Sequence, residues 1–289
     1  MRYAFVKAHR LLYPIKIMCR VLSLTISGYY AWLMGKSIDR QQRENILAVL
    51  VMAAHKASRE TYGTERLHAE LINSGVEITE YKVRRLRTKL GLGCKQSKRF
   101  KRTTNSGHDK SIAPNLLNQQ FQVERPNQAW SSDITYVWTR EGWLYVAGLK
   151  DLYSKEIVGY AISERMTTDL CLKALDMAIR GRKPKSGLIV HSDRGSQYCS
   201  KAYRHELEKH QFECSMSRKG NCYDNAPIES FWSSLKNELI HQNHYEYREK
   251  ARRDIVEYIE IFYNRVRRHT KLGNISPAEA FQNFTLKAA

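Results

Sequence analysis

The chain has 289 residues, with 48 Lys and Arg against 29 Asp and Glu, which gives a formal net charge of +19. With 42% hydrophobic residues it holds enough apolar side chain for a core, which excludes wholesale disorder. The longest apolar run (46–54) is too short to span a membrane, and the six cysteines lack disulfide-framework spacing. The N-terminus, with Lys7, His9 and Arg10 among its first ten residues, lacks the apolar core expected of a signal peptide. We therefore expect free thiols in a reducing cytoplasm, and a polyanion, most commonly nucleic acid, as the partner.

The positive charge is concentrated in the front of the chain. Residues 1–122 carry a net charge of +14, and residues 123–289 carry +5. The stretch 81–107 contains ten Lys and Arg and no acidic residue. This distribution predicts a basic front region, a basic linker and a more balanced back region.

The first predicted helix pair lies near the N-terminus. Residues 14–22 and 25–33 read as two helices joined by a tight turn at 23–24, with Thr25 as N-cap. We expect Ile26, Tyr29 and Leu33 to face inward, and a longer helix to follow over 40–55.

The second helix pair has the stronger DNA-binding pattern. Thr64 is predicted to cap a helix over 65–72, and Thr79 a helix that ends near Leu90 and Gly91. The apolar stripes are Leu67, Leu71 and Ile72 on the first helix, and Val83, Leu86 and Leu90 on the second. The opposite side of the second helix is basic, as in helices that enter a DNA major groove. A small helical bundle with a solvated basic surface is the alternative. The residues expected to contact DNA, there and in the linker, are Lys82, Arg84, Arg85, Arg87, Lys89, Arg99, Lys101 and Arg102.

The back region reads as an α/β fold. Three β-rich runs (130–138, 142–149 and 157–162) are separated by only a few residues, which favours antiparallel neighbours. Strand and helix signals then alternate: a helix capped by Thr168 over 169–180, a strand at 187–191, a helix at 200–210, a short strand at 214–216 and a long helix over 226–242. This order predicts a mixed sheet flanked by helices. Two last helices, about 247–264 and 277–281, are expected either to pack on the core or to bind DNA.

Three carboxylates occupy informative places. Asp133 interrupts an apolar strand, Asp193 follows the fourth strand, and Glu229 lies at the start of the long helix. A buried carboxylate needs a cation or a donor, and a hard divalent cation held by oxygens from three segments would account for all three. Each also has an ordinary structural alternative as a backbone acceptor, a turn residue or a helix N-terminal acid. Asp224 competes for the third place but has the pattern of a turn or cap residue.

The spacing and surrounding text resemble the OrfB-type transposases of the IS-three class of bacterial insertion sequences, which share a catalytic core with retroviral integrases. Thirty-five residues separate Asp193 from Glu229, and Lys236 follows Glu229 by seven, which is close to two helical turns. The resemblance also rests on the segments 191–198, 224–226, 263–264 and 272–277, and on 62–63 and 68–71 in the front region.

The resemblance implies a ribonuclease-H-like core that performs phosphoryl transfer on DNA. Asp133, Asp193 and Glu229 would be catalytic and would hold two Mg²⁺ ions, for which Mn²⁺ would substitute. Water would cut one strand at the element's end, and the freed 3′-hydroxyl would attack another phosphodiester, first joining the two ends of one strand into a circular intermediate. Lys236 would contact terminal DNA as a phosphate-binding charge. His191 would orient a carboxylate, touch DNA or simply pack at the strand end.

The predicted organisation is a helical region (1–58), a second helix-turn-helix-like region (59–95), a basic linker (96–122), an integrase-type core (123–245) and a C-terminal helical extension (246–289). The predicted partner is double-stranded DNA, both terminal inverted repeats and target, bound by a homo-oligomer in the bacterial nucleoid. The product of an upstream reading frame is a further expected partner. No zinc-ligand spacing is present, so no structural zinc is expected. A non-catalytic DNA-binding regulator and a nuclease of the same fold are the rival functions.

Overall fold

The computed structural model describes residues 1–95 and 112–288. The chain divides into two compact units, Met1–Gly93 and Cys94–Ala289. The region expected at 1–58 and residues 59–93 of the next expected region lie within the first unit, and the expected core and C-terminal extension lie within the second. In the described part of the chain no helix is long and apolar enough to cross a membrane. The cysteines whose side chains are described are free thiols, as predicted.

The first unit is helical. Its elements are α1 (Arg2–Ala8), α2 (Ile15–Val21), α3 (Ile26–Leu33), α4 (Lys36–Ala57), α5 (Thr64–Asn73) and α6 (Glu80–Lys89). The tight turn between α2 and α3 is confirmed: Ser23 has a positive φ of 54°, and the Thr25 hydroxyl accepts from the Gly28 amide at 3.1 Å. Two apolar clusters hold the unit together, one among α1–α3 around Val6 and Tyr29, and one among α4–α6 around Leu67 and Leu86.

The structure confirms some local predictions in this unit and corrects others. The Thr79 hydroxyl caps α6 by accepting from the Lys82 amide at 3.3 Å. The predicted Thr64 cap is wrong, because the helix already begins at Thr64 and its hydroxyl accepts from Arg87 at 2.8 Å. Two residues predicted to face inward, Ile26 and Ile72, are 41% and 47% exposed, since only one side of each short helix meets a neighbour.

The second unit is built on a five-stranded sheet. Its strands are β1 (Ala129–Thr139), β2 (Gly142–Asp151), β3 (Ile157–Ser163), β4 (Ile189–Ser192) and β5 (Glu213–Met216), in the spatial order β3-β2-β1-β4-β5. The first three pair antiparallel, and β4 and β5 join in parallel. The predicted mixed α/β sheet is therefore confirmed.

Helices cover the sheet through two apolar clusters. The helices are α7 (Thr168–Arg182), α8 (Lys201–Lys209), α9 (Ala226–Glu238), α10 (Arg248–Glu257) and α11 (Pro277–Ala288). One cluster joins Trp130 of β1 to α7 and α8, and the other joins Val137 of β1 to α9 and α10. The predicted Thr168 cap is wrong, because α7 begins at that residue and Thr167 occupies the cap position.

The C-terminal segment packs on the sheet. The chain continues from α10 as a π-helical turn, Tyr258–Val266, whose Tyr258 and Phe262 belong to the same cluster as α9. The Asn264 side chain is paired with the backbone of Ile157 in β3, accepting at 2.9 Å and donating at 3.0 Å. Arg267 is buried against Glu238 of α9, with its Nη2 2.7 Å from the carboxylate. Of the two alternatives for this segment, the structure shows packing on the core.

Candidate active site

The site begins where β4 stops pairing with β1. The parallel register runs from Ala129↔Ile189 to Ser132↔Ser192, so the next residues of the two strands are Asp133 and Asp193. Beyond this point the edge of β1 opens onto a cavity. The parallel register therefore places the first two carboxylates side by side at strand ends, where open α/β sheets locate their sites.

The Asp193 side chain is held by the turn that follows it. Its Oδ1 accepts from the Gly195 amide at 2.8 Å. A Cβ on residue 195 would lie 2.9 Å from this same oxygen, so glycine allows the close approach. The turn fixes the carboxylate at the end of β4.

Glu229 is brought to the same place by anchors at the N-terminus of α9. The Asn225 side chain accepts from the Ser131 hydroxyl at 2.7 Å and donates to the Ser132 carbonyl at 3.1 Å, the two residues before Asp133. The buried Lys150 ammonium donates to the Pro227 carbonyl at 2.9 Å. Burial, followed by repulsion from nearby cations, lowers the pKa of Lys150 to about 7.

A third anchor lies in the middle of α9. Residue 148 pairs with Asp133 in the β1–β2 register, and it is a glycine. A Cβ there would meet the Trp232 ring, 2.8 Å from Cη2 and 3.0 Å from Cζ2. The missing side chain lets α9 lie close to the sheet. Because Glu229 is three residues before Trp232, it is carried to the same side of the helix.

The three carboxylates and Lys236 line one cavity of about 900 Å³. Asp133 is half-buried in its wall, Asp193 is half-buried beside it, and Glu229 is exposed at its margin. Burial raises the pKa of Asp133 well above its usual range, and the charges of Asp193 and Glu229 raise it further. Negative charge is therefore concentrated at the three carboxylates, and Lys236 is one of the cations that line the same cavity.

Lys236 lies near both a carboxylate and an aromatic ring. Its ammonium is 4.9 Å from the centre of the Tyr136 ring. Burial lowers the pKa of Lys236, and the charge of Asp133 opposes that shift. The seven-residue spacing from Glu229 does bring both side chains to the cavity, as predicted.

The donor set suits a hard cation. Within residues 1–95 and 112–288, no three His, Cys, Asp or Glu side chains already lie close enough to hold a metal ion. The three carboxylates nevertheless supply the oxygen ligands that Mg²⁺ prefers, and a cation among them would offset the repulsion that raises the pKa of Asp133. The chemistry of these side chains thus fits a divalent cation.

His191 and Asp224, which the sequence also offered as candidates for the site, have structural roles. His191 is buried, with Nδ1 2.8 Å from the Ser215 hydroxyl and Nε2 3.2 Å from that of Ser217. Burial lowers the pKa of His191 to about 4, so it is neutral at pH 7. Asp224 is buried in an ion pair with Arg218, which holds its pKa well below the usual range. It is therefore a structural ion-pair residue rather than the turn or cap residue expected.

The basic side chains of α6 lie in two kinds of surroundings. Three of them meet the carboxylate of Glu44 on α4, with Lys82 at 2.9 Å, Arg85 at 2.7 Å and Lys89 at 3.1 Å. Of the remaining two, Arg84 pairs with Glu80 at the surface, and Arg87 donates to Thr64 and to the Leu92 carbonyl. Arg99, Lys101 and Arg102 of the predicted linker lie outside the described residues.

Several residues that shape the site were missed in the sequence. Asn225, Lys150 and Gly148 position α9 through contacts with distant segments, which a local pattern does not reveal. Tyr136 and Trp143 also line the cavity. Their signal was available as the strand alternation Tyr136, Trp138 and Trp143, Tyr145 on either side of a short turn.

The chain matches three family models. Residues 123–222 and 210–277 each match an integrase core domain, and residues 41–100 match an HTH-like domain. It is 53% identical over 94% of its length to the whole of an "Insertion element IS600 uncharacterized 31 kDa protein" of Shigella sonnei. It is 43% identical over 99% of its length to the whole of the "Transposase InsF for insertion sequence IS3A" of Escherichia coli K12.

Two integrase structures align with parts of this chain. A simian T-cell lymphotropic virus intasome chain aligns with 78% of this chain, and 72% of that chain is covered, at 15% identity and a TM-score of 0.48. The HTLV-2 integrase catalytic core domain aligns with 55% of this chain, and 99% of that domain is covered, at 14% identity and a TM-score of 0.44.

Proposed function

Because the chain belongs to the integrase-core transposases of IS3-class insertion sequences, we propose that Asp133, Asp193 and Glu229 are the catalytic carboxylates of this DNA transposase. The observation that carries this assignment is their convergence on one cavity from β1, the end of β4 and α9. The register, the Asn225 bonds and the Trp232 contact all serve to bring these segments together.

The three carboxylates would hold two Mg²⁺ ions, and Mn²⁺ would substitute for them. Such ions supply Lewis acidity to the phosphoryl group and lower the pKa of the attacking oxygen. The protein's part is to hold Asp133 and Asp193 at fixed strand ends and to bring Glu229 to them on α9. Lys236 positions a phosphate of the terminal DNA and reduces the repulsion among the carboxylates.

The reaction proceeds in two displacements at phosphorus. In the first, a water oxygen bonds to phosphorus at the end of the element, and the 3′-oxygen leaves as a free hydroxyl. In the second, this 3′-hydroxyl bonds to another phosphorus and displaces its 3′-oxygen, with no covalent bond between protein and DNA. The first joining links the two ends of one strand into a circular intermediate, which later integrates.

DNA recognition falls to the first unit and the basic linker. The HTH-like match at residues 41–100 covers α4, α5 and α6, and the net charge of +14 in residues 1–122 suits a phosphate backbone. We assign the terminal repeats to α6 and the linker, with Arg84, Arg99, Lys101 and Arg102 on phosphates. Pairing of the two ends calls for a homo-oligomer on DNA in the bacterial nucleoid, and the upstream reading-frame product would add a further DNA-binding segment.

The direct test is incubation of the full chain with labelled terminal repeats of the element and Mg²⁺. The proposal predicts strand-joined products that disappear when the metal is chelated. Cut ends without joined products would indicate a nuclease of the same fold. Binding without cutting would indicate a DNA-binding regulator.

A further inference from the structure

A row of aromatic side chains runs along the β1–β2 hairpin. In the register, Tyr136 lies opposite Tyr145 and Trp138 opposite Trp143. The Trp143 ring is edge-on to both neighbours, with its centroid 5.0 Å from Tyr136 and 4.8 Å from Trp138. Both tryptophans are open to solvent, Trp138 by 58% and Trp143 by 43%. Large apolar rings left exposed together indicate a binding surface rather than a core.

One end of this row lies inside the catalytic cavity. Tyr136, Trp143 and Tyr145 line the same space as Asp133, whereas Trp138 lies outside it. The Lys236 ammonium sits over the Tyr136 ring, which ties the aromatic row to the helix that carries Glu229. The aromatic surface therefore lies beside the place where the reacting phosphate would bind.

The charge of the cavity wall indicates what this surface binds. Arg194, Lys219 and Lys236 line the cavity together with the aromatic rings. Flat rings flanked by cations are the combination that binds single-stranded nucleic acid, since the rings stack on bases while the cations meet phosphates. A paired base inside a duplex is already stacked on both sides, so Trp143 can stack on a base only where that base is unpaired or terminal.

We propose that Trp143, supported by Tyr136, is a stacking platform for an unpaired nucleobase at the DNA end beside the catalytic carboxylates. This inference rests on the proposed function and adds to it a subsite for a base removed from the duplex. Opening the terminal base pairs would give the cavity access to the phosphate, and the platform would offset the lost stacking energy.

The platform is tested by binding in metal-free buffer, where no cleavage occurs. The probe is a short oligothymidine with one central 2-aminopurine, whose fluorescence is quenched when it stacks on an aromatic ring. We expect the wild-type chain to quench the probe, and Trp143→Ala to abolish quenching and weaken binding roughly 10-fold. Trp143→Phe should keep most of the quenching because a ring remains.

Trp138→Ala is the matched control. It removes the same Trp138–Trp143 ring contact from the hairpin, but residue 138 lies outside the cavity. Quenching and affinity should stay near wild type in this variant, with folding of each variant verified by near-ultraviolet circular dichroism. Undiminished quenching in Trp143→Ala, or an equal loss in Trp138→Ala, would overturn the platform. The platform would also be overturned if Trp143→Ala quenched the probe normally but changed the oligomeric state of the chain. That result would show that the aromatic surface is a contact between subunits.

A joining assay separates this inference from the proposed function. With fully paired ends, Trp143→Ala should join DNA more slowly than wild type. With ends whose terminal pair is mismatched, the defect should shrink because the base is already unpaired. Equal defects on both kinds of end would contradict the platform while leaving the transposase assignment standing. If the wild-type chain quenched the probe normally but never joined DNA, the transposase assignment would be contradicted instead.

Discussion

At the scale of single residues, Asp133 shows a conflict between stability and function. Its carboxylate lies at the end of a strand register, half-buried, with two further carboxylates close enough to raise its pKa. A side chain selected for stability alone would be neutral here. The sequence predicted this residue from its place in an apolar strand. It did not reveal the role of Asn225, which positions α9 through hydrogen bonds to Ser131 and Ser132, more than ninety residues away in the chain.

We predict that Asp133→Asn stabilises the protein in metal-free buffer at neutral pH, because it removes a buried negative charge that Asp193 and Glu229 repel. Because the pKa of Asp133 is raised in the folded state, wild-type stability is retained below the normal carboxyl pKa and lost as pH rises through the folded-state value. The difference in free energy of unfolding between the variant and the wild type should therefore widen as pH rises from the normal carboxyl pKa to the folded-state pKa of Asp133. Urea unfolding at several pH values measures it.

Magnesium provides the control for this prediction. Added Mg²⁺ should raise the melting temperature of the wild-type chain, because it binds the folded state and relieves repulsion among the carboxylates. The Asp133→Asn variant should respond much less. An equal Mg²⁺ response in the two proteins would mean that the ion binds elsewhere.

At the scale of elements, the pattern of strands and helices was readable from sequence because it depends on periodicity. The strands around Asp133, the parallel β4 and the helix of Glu229 all lie where their patterns indicate. Helix caps were harder to predict. Thr64 and Thr168 are the first residues of their helices, and threonine suits both the cap position and the first helical position. The close approach of α9 to Gly148 depends on packing between segments and has no local signal.

We predict that Gly148→Ala lowers the rate of strand joining roughly 10- to 100-fold, because the new Cβ pushes Trp232 and moves Glu229. DNA affinity should change little, since the DNA-binding residues of the first unit are untouched. Adding Trp232→Phe, which removes the ring atoms that clash, should restore part of the rate. A double variant no faster than Gly148→Ala would contradict this explanation.

A second element-scale prediction concerns Glu44 on α4. Its carboxylate meets three cations of α6, and hydrogen bonds from Lys82 and then Lys89 hold its pKa at about 2. Glu44→Gln removes that charge, so these cations become available to phosphates. We expect several-fold tighter binding to duplex DNA, with a salt slope steeper by about one.

The matched control for Glu44→Gln is Glu80→Gln, which removes the same charge from a carboxylate that pairs with Arg84 at the surface. Its effect on affinity should be smaller. Weaker binding by Glu44→Gln would mean that the carboxylate orders the basic face for recognition, and would contradict the competition proposed here.

At the scale of the whole molecule, the net charge of +19 and its uneven distribution predicted a basic front region and a more balanced back region. The division into Met1–Gly93 and Cys94–Ala289 falls within the basic stretch 81–107, ahead of the change in net charge after residue 122, and the first unit carries most of the HTH-like match at residues 41–100. The last forty residues were less predictable. The sequence left this segment either to pack on the core or to bind DNA, and in the structure Arg267 is buried against Glu238 and Asn264 is bonded to β3.

We predict that removing residues 1–93 abolishes preference for the element's ends while the core retains its fold. The second unit has its own two apolar clusters, so its circular dichroism and cooperative melting should persist. Gel shifts with terminal-repeat and scrambled duplexes measure the preference. Undiminished discrimination by residues 94–289 would place recognition in the core instead.

The central claim, that three carboxylates from three segments act at one site, is tested most directly by strand joining in Mg²⁺. Wild type, Asp133→Asn, Asp193→Asn and Glu229→Gln are compared on labelled terminal repeats, with Glu208→Gln on the exposed face of α8 as control. We expect each of the three variants to bind DNA but to yield neither cut nor joined product, while the control matches wild type. Joining at the wild-type rate by any one of the three would contradict it.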